Sequence, residues 1–363
     1  MKVIIAGGGT GGHLFPAVAL GEELKRTRKG IDVLFVGTSA GLEAKWLPKS
    51  GHDYELFEMH GIRGHSMIER ARASIEFVRA IAMAISLTRR FRPDLIVSAG
   101  GYASASMGVA AILTRTPLVL MEQNTRPGLV NRMLSRFAKK ICVGFGDSAS
   151  HFGNSAKVEV TGNPVRFEYR PDRSRNEGVP LQILVLGGSS GAHRLNIGVL
   201  DAFSIWGKSV IKLNVIHQTG EADEGLVREA YRAMPFESEV VAFIDDIPAA
   251  LHRADLVIAR AGAMTVTDIM LAARAAIFVP YPFHKDEQQV HNARVLESIG
   301  GAIIVRDDEN LATNLARELG VFASDPARLA EMGDRAHRLA HPDAARRVAQ
   351  ICFEVAGSMS DAA

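Results

Sequence analysis

MKVIIAGGGTGGHLFPAVAL, residues 1–20, decides how the rest of the chain is read. The apolar run Val3-Ile4-Ile5-Ala6 meets Gly7, Gly8, Gly9, Gly11 and Gly12, and a helix-like stretch follows. A strand, a glycine turn and a helix start open a βαβ unit whose loop amides suit an anion. Gly7, Gly9 and Gly12 also satisfy G-x-G-x-x-G, which makes a dinucleotide the first candidate ligand. That ligand needs an acid at the end of the second strand to hold its ribose. The second strand here ends Val36-Gly37-Thr38-Ser39, with no carboxylate. G-x-x-x-x-G-K-[ST] is absent as well, which disfavours a P-loop nucleotidase. Two readings remain: phosphate binding of another kind, or a tight turn that uses glycine for packing alone.

The same opening recurs at LQILVLGGSSGAHRLN, residues 181–196. Strand-like runs at 3–6, 33–36, 95–98, 118–121, 183–186, 213–217, 256–259, 276–279 and 303–305 alternate with helix-like stretches. Such alternation predicts an α/β protein with doubly wound parallel sheets. Residues 161–180, TGNPVRFEYRPDRSRNEGVP, read as a linker rich in Pro, Arg, Asn and Gly. The expectation is therefore two Rossmann-like domains, 1–163 and 164–341, facing a cleft between them. Ala345, Val348, Ile351, Cys352 and Val355 recur at helical spacing, so 342–363 reads as a terminal helix packing back on one half.

Bulk properties narrow the classes. The chain has 363 residues, 47% hydrophobic and 23% charged, enough for sizeable cores. A net charge of +2 is too small for a global nucleic-acid-binding field. Cys142 and Cys352 supply neither a disulfide framework nor a zinc cluster, which fits a reducing compartment. No signal peptide and no membrane-spanning run is read, so a cytoplasmic or membrane-surface location is expected.

A second constellation lies in residues 243–293, FIDDIPAALHRADLVIARAGAMTVTDIMLAARAAIFVPYPFHKDEQQVHNA. One strand delivers Arg260-Ala261-Gly262-Ala263 to a helix carrying Asp268. The next ends in Pro280-Tyr281-Pro282, and His284-Lys285-Asp286 lead to Gln288, Gln289 and Asn292. Carboxylates accept from ribose diols, amides read sugar hydroxyls, and helix starts meet diphosphates. Together these types suit a nucleotide sugar, although each alone also reads as a solvated helix residue. Asp245-Asp246 read as a solvated or helix-capping pair, and no metal site is assigned.

GGGTGGHLFPAVAL, SAGGYAS, EQN, GNPVR, GGSSGA, FIDDI, RAGAMTVTDI and FHKDEQQVHNA occur in an order and spacing that resembles the MurG family. Members are bacterial cell-wall UDP-N-acetylglucosamine transferases with a two-domain GT-B fold, and the resemblance covers essentially the whole chain. It implies inverting transfer of N-acetylglucosamine from UDP-N-acetylglucosamine to the C4 hydroxyl of the muramyl sugar of lipid I, giving lipid II without a covalent sugar–enzyme intermediate. It implies donor contacts at Thr10, Gly11, Gly12, Asn124, Arg166, Ser189, Ile244, Ala263, Met264, Thr265, Val266, Thr267, Asp268 and Gln288. In that set Ile244 faces uracil through its backbone, Asp268 takes the ribose hydroxyls, Gln288 reads the sugar, and Ser189 with neighbouring amides holds the diphosphate. His13, Tyr102, Glu122, Asn131, Asn196, Arg260 and Asn292 match further functional positions. No cofactor is implied, with Mg²⁺ at most stimulatory; a peripheral place on the cytoplasmic face of the inner membrane and other cell-wall enzymes as partners are. The family commonly has Glu, Gln, His and Ser where this chain has Asp268, Ser190, Met121 and Ala261.

With Met121 in place of a histidine, the proton acceptor falls to His13 or Glu122, and the resemblance places Asn131 among the catalytic residues with them. Histidine's ordinary pKa of about 6.5 favours His13 as the base. Contact with an acceptor pyrophosphate is its alternative role. Residues 61–92 place Ile68, Ile75, Val78, Ile81, Ala82 and Ile85 at helical spacing. Arg63, Arg70, Arg72, Arg79, Arg89, Arg90 and Arg92 surround them, against Glu69 and Glu76. That pattern suits an anionic membrane surface or a core helix with a solvated arginine face.

Overall fold

The computed structural model describes residues 1–59, 67–153, 155–171, 180–188, 191–206, 212–283 and 286–360. Arg63, Ser189, Ser190, His284 and Lys285 lie outside the described residues, as do the side chains of Ile68, Glu69, Arg70 and Arg72. The chain divides into two compact units, Met1–Arg166 with Asp343–Ala363, and Phe167–Pro342.

The first unit runs β1 (Lys2–Ala6), α1 (Gly11–Thr27), β2 (Asp32–Thr38), α2 (Glu43–Ser50), β3 (Asp53–Phe57), α3 (Met67–Phe91) and β4 (Leu95–Ser98). It continues with α4 (Tyr102–Thr114), β5 (Leu118–Glu122), α5 (Leu129–Leu134), β6 (Lys140–Val143) and β7 (Val158–Val160). The second unit runs β8 (Leu181–Leu186), α6 (His193–Trp206), β9 (Leu213–Gln218), α7 (Glu224–Arg232), β10 (Glu237–Val241), α8 (Ile247–Arg253) and β11 (Leu256–Ala259). It closes with α9 (Ala263–Ala272), β12 (Ala275–Phe278), α10 (Gln288–Glu297), β13 (Ala302–Ile304), α11 (Leu311–Ser324) and α12 (Pro326–His337). Helix α13 (Ala344–Ser360) returns to the first unit.

All pairings are parallel, in the orders β3-β2-β1-β4-β5-β6-β7 and β10-β9-β8-β11-β12-β13. Each unit's first strand is thus central, and the order reverses direction there. Ligands bind at such switch points, outside the carboxyl ends of the strands. The two glycine openings stand there because β1 lies between β2 and β4, and β8 between β9 and β11.

Buried apolar strands explain why the sheets form: Val3, Ile4, Ile5 and Ala6 are all buried, as are Leu256 to Ala259. Helix α13 completes the first core by burying Val348, Ile351, Cys352 and Val355 beside Leu20 and Leu24. Both cysteines are free, and burial raises their thiols, Cys352 to about 12. The supposed linker begins later than its composition suggests. Thr161, Gly162, Asn163 and Pro164 are buried, and Asn163 Nδ2 donates to Gln123 O at 3.1 Å.

The arginine-rich helix has one face in the core and another exposed. Ala80, Ala84 and Leu87 of α3 face the core, while Ile75 and Val78 are 56% and 65% exposed. Within the predicted apolar stripe, Ile75, Val78 and Ala82 are exposed, while Ile81 and Ile85 are half-buried. No helix among the described residues is long and apolar enough to cross a membrane.

Candidate functional site

In the first unit the loops after β1 and β4 interlock. Gly101 has φ 89°, and a Cβ there would lie 2.4 Å from Gly8 O. Gly100, φ 96°, would place a Cβ 2.8 Å from the His13 ring. SAGGYAS is thus glycine where two loops cross and where His13 needs room. Nδ1 of His13 lies 3.0 Å from Gln123 Oε1. With that oxygen facing the ring, Nδ1 carries the proton and Nε2 keeps a lone pair, the tautomer a general base needs. Thr10 is exposed, and it starts a helix whose Gly11 and Gly12 amides have no carbonyl upstream in the helix to accept them.

The first loop is braced by a residue the sequence reading missed. Glu43 is fully buried; its Oε2 accepts from Gly9 N at 2.7 Å. Its Oε1 accepts from Thr38 N at 2.8 Å and Thr38 Oγ1 at 2.7 Å. A Cβ on Gly8, Gly37 or Gly41 would lie within 2.3 Å of this side chain. One amide expected to meet an anion is therefore already given to an internal carboxylate.

Glu122 does not fit the role of proton acceptor. It is buried, and it accepts from Asn124 N at 2.9 Å, Asn124 Nδ2 at 3.3 Å, Gly128 N at 3.0 Å and Asn131 Nδ2 at 2.9 Å. Asn131, also buried, donates in addition to Met121 O at 3.0 Å. Both residues fix the loop that carries Gln123 and Asn124. Met121 is buried in the core of the first unit. Tyr102 is 44% exposed at the start of α4. Arg166 belongs to the first unit, over the Trp46 ring at 5.0 Å and 3.6 Å from Glu22.

In the second unit Gly188 and Gly191 take φ 86° and 74°. A Cβ on Gly191 would lie 2.4 Å from Thr219 O. Gln218 Nε2 donates to Gly188 O at 2.8 Å, tying this loop to β9. Asn196 is fully buried. Its Nδ2 donates to Thr219 O at 2.9 Å and Asp223 Oδ2 at 2.7 Å, and its Oδ1 lies 3.1 Å from His217 Nε2. Tyr231 OH is 2.9 Å from His217 Nδ1. Burial lowers His217 to about 3, so the ring is neutral. Although burial pushes Asp223 up, hydrogen bonds from His193 and Asn196 bring its carboxyl below the ordinary value.

Arg260 and Asn292 are likewise buried and bonded to the strand ends. Arg260 donates to Val279 O at 2.9 Å and pairs with buried Asp307 at 2.8 Å. Arg194 reaches the other Asp307 oxygen at 2.7 Å. Asn292 Nδ2 donates to Ala261 O at 3.2 Å. These bonds join the ends of β11 and β12 and the start of α10. Within the 263–268 run, Ala263, Val266 and Thr267 are buried, and Thr267 Oγ1 donates to Ala263 O at 2.9 Å. Met264, Thr265 and Asp268 are half-buried and share a side of α9. Tyr169 OH, another residue the sequence reading missed, donates to Asp268 Oδ1 at 2.6 Å. Burial raises Asp268 to about 7, against the lowering effect of that bond. Ile244 is half-buried beyond β10, and Gln288 is half-buried at the first turn of α10. Asp246 caps α8 by accepting from Ala249 N at 2.9 Å. No group of three or more His, Cys, Asp or Glu among the described residues is arranged for a metal.

Two doubly wound parallel units, each with an amide-bearing glycine turn at its switch point, form the pair of domains that makes a GT-B glycosyltransferase. Residues 3–143 match the glycosyltransferase family 28 N-terminal domain, and 182–348 match its C-terminal domain. The chain is 41% identical over 356 residues to the UDP-N-acetylglucosamine–N-acetylmuramyl-(pentapeptide) pyrophosphoryl-undecaprenol N-acetylglucosamine transferase of Coxiella burnetii (strain RSA 493 / Nine Mile phase I), covering 97% of this chain and 98% of that one. It is 38% identical over 358 residues to the transferase of the same description from Anaeromyxobacter dehalogenans (strain 2CP-C), covering 98% and 93%. The crystal structure of Acinetobacter baumannii MurG superposes with a TM-score of 0.80 at 30% identity, covering 96% of this chain and 98% of that chain. The chain belongs to the MurG family within glycosyltransferase family 28.

Two stability predictions follow from the buried framework. His217 titrates near 3 when folded against 6.5 in the reference state, so between those values the unfolded chain binds the extra proton. Stability therefore falls as pH drops through that window, by up to about 1.4 kcal/mol per pH unit from this group. Urea unfolding of His217→Gln should show a shallower acid slope, and an unchanged slope would contradict a buried neutral ring. Asp307→Asn leaves the Arg260 guanidinium buried without its counter-charge, and should cost about 3–5 kcal/mol in the same assay; a loss below about 1 kcal/mol would contradict the pairing.

Proposed function

We propose that the chain transfers N-acetylglucosamine from UDP-N-acetylglucosamine to the C4 hydroxyl of the muramyl sugar of lipid I, with inversion and no covalent intermediate. The observation that carries this is the 41% identity, over 97% of the chain, to a relative named as the UDP-N-acetylglucosamine–N-acetylmuramyl-(pentapeptide) pyrophosphoryl-undecaprenol N-acetylglucosamine transferase. In this reading the second unit holds the donor. Amides of the loop beginning Gly187-Gly188 and the first turn of α9 take the diphosphate, where helix-start donors stabilise negative charge as the bond to UDP breaks. UDP is a good leaving group, so donors suffice, and Mg²⁺ is assigned at most an assisting role on the diphosphate. Asp268 accepts from the ribose hydroxyls, the Ile244 backbone faces uracil, and Gln288 reads the sugar.

His13 Nε2 takes the acceptor proton. The Nδ1 bond to Gln123 and the glycine at position 100 support this, because they fix the ring and its tautomer. His13→Ala should lower kcat by about 10²–10⁴-fold with the donor KM little changed. Near-normal kcat with weakened acceptor binding would instead make His13 an anion contact. UDP release measured with and without a lipid I analogue tests the whole reaction: release that needs the acceptor is expected, and tight donor binding without acceptor-dependent release would contradict transfer.

The acceptor's undecaprenyl tail stays in the bilayer, so the enzyme sits peripherally on the cytoplasmic face of the inner membrane. Exposed Ile75 and Val78 beside Arg79, and Arg89 at the far end of α3, support that placement. Basic side chains near anionic lipid contribute about 1 kcal/mol each, and small apolar groups enter the headgroup layer. Sedimentation with phosphatidylglycerol vesicles should show binding at low salt that high salt removes; absence of binding at every salt concentration would contradict it.

A further inference from the structure

We propose that Tyr169 is a positioning residue of the nucleotide pocket, whose phenol holds the short Asp268 side chain so that its second oxygen is presented to a ribose diol. The proposal rests on the ribose role given to Asp268 above. Tyr169 and Asp268 are 99 positions apart, and their 2.6 Å bond joins the segment that opens the second unit to α9. Both residues are half-buried, so the pair stands at the surface of the second unit rather than in its core. An O–H donor on an ionised carboxylate makes one of the stronger hydrogen bonds available to a protein.

The length of the side chain explains why such an anchor is needed. An aspartate carboxylate is one methylene from its backbone and turns with few bonds; a glutamate reaches further with its own extra torsion. Fixing Oδ1 to the phenol selects one orientation and leaves Oδ2, with its lone pairs, for two adjacent hydroxyls. Burial acts against the charged form of Asp268, and the phenol hydrogen bond acts for it. Burial of the phenol, then the Asp268 carboxylate and least of all Asp246 just ahead of α8, disfavour phenolate, so the proton stays on Tyr169. The phenol is therefore a donor to Asp268 and not a rival acceptor for the ribose.

The test compares the full-length wild type with Tyr169→Phe, Tyr169→Phe/Asp268→Glu and Asp268→Asn, by UDP titration calorimetry, steady-state kinetics and thermal melting. Tyr169→Phe should raise the UDP Kd and the donor KM by about tenfold, the worth of one hydrogen bond to a charged group, with kcat within about twofold. Asp268→Glu in that background should restore most of the loss, because the added methylene supplies the reach the phenol had secured; a strap that merely ties the chain together would gain nothing from it. An unchanged or tightened UDP Kd in Tyr169→Phe, with Asp268→Asn weakened, overturns the proposal alone. So does a double variant no better than Tyr169→Phe. An Asp268→Asn protein that binds UDP as the wild type does overturns the ribose assignment and this proposal with it.

Discussion

The Glu43 carboxylate, enclosed by Gly8, Gly37 and Gly41, takes the Gly9 amide and both Thr38 donors. A glycine turn at the end of a central strand has high entropy to lose, and its amides must be either aimed or satisfied. In the first unit a buried acid does both for the turn after β1. His13, on the first turn of α1 and wedged beside Gly100, inherits its position from that turn. In the second unit the same task falls to uncharged groups: Gln218 on Gly188 O, with Asn196 and neutral His217 behind Thr219.

That difference divides the labour between the units. A carboxylate behind the first loop already occupies one amide and opposes a second anion nearby. The second loop has no carboxylate bonded to its described amides, and the first turn of α9 stands at the adjacent strand end. In the function proposed above, the diphosphate sits on the second loop and the first loop presents an imidazole. Around the donor end, Arg260, Asp307 and Asn292 bind the strand termini together, so Asp268 and Gln288 are offered from fixed backbone.

Much of this was legible in the sequence, and the reasons for the gaps are physical. Central strands such as β1 and β8 are apolar throughout because helices cover both faces, and they announced themselves. Two edge strands did not: DYELF of β3 and ESEVV of β10 alternate with or carry charge because water reaches them. The family resemblance marked Asn196, Glu122, Asn131, Arg260 and Asn292 as functional positions, but matching motifs do not give depth, and all five are buried. Glu43, Gln123, Tyr169 and Asp307 were invisible for the opposite reason. Each reads locally as a solvated helix or loop residue, and its partner lies 34, 110, 99 or 47 positions away.

A crystal structure of the full chain with UDP-N-acetylglucosamine tests the division of labour most directly. The account predicts the diphosphate on the amides of the loop after β8 and the start of α9, with Glu43 still holding Gly9. A diphosphate seated instead on the loop after β1, with Glu43 displaced from the Gly9 amide, would contradict it.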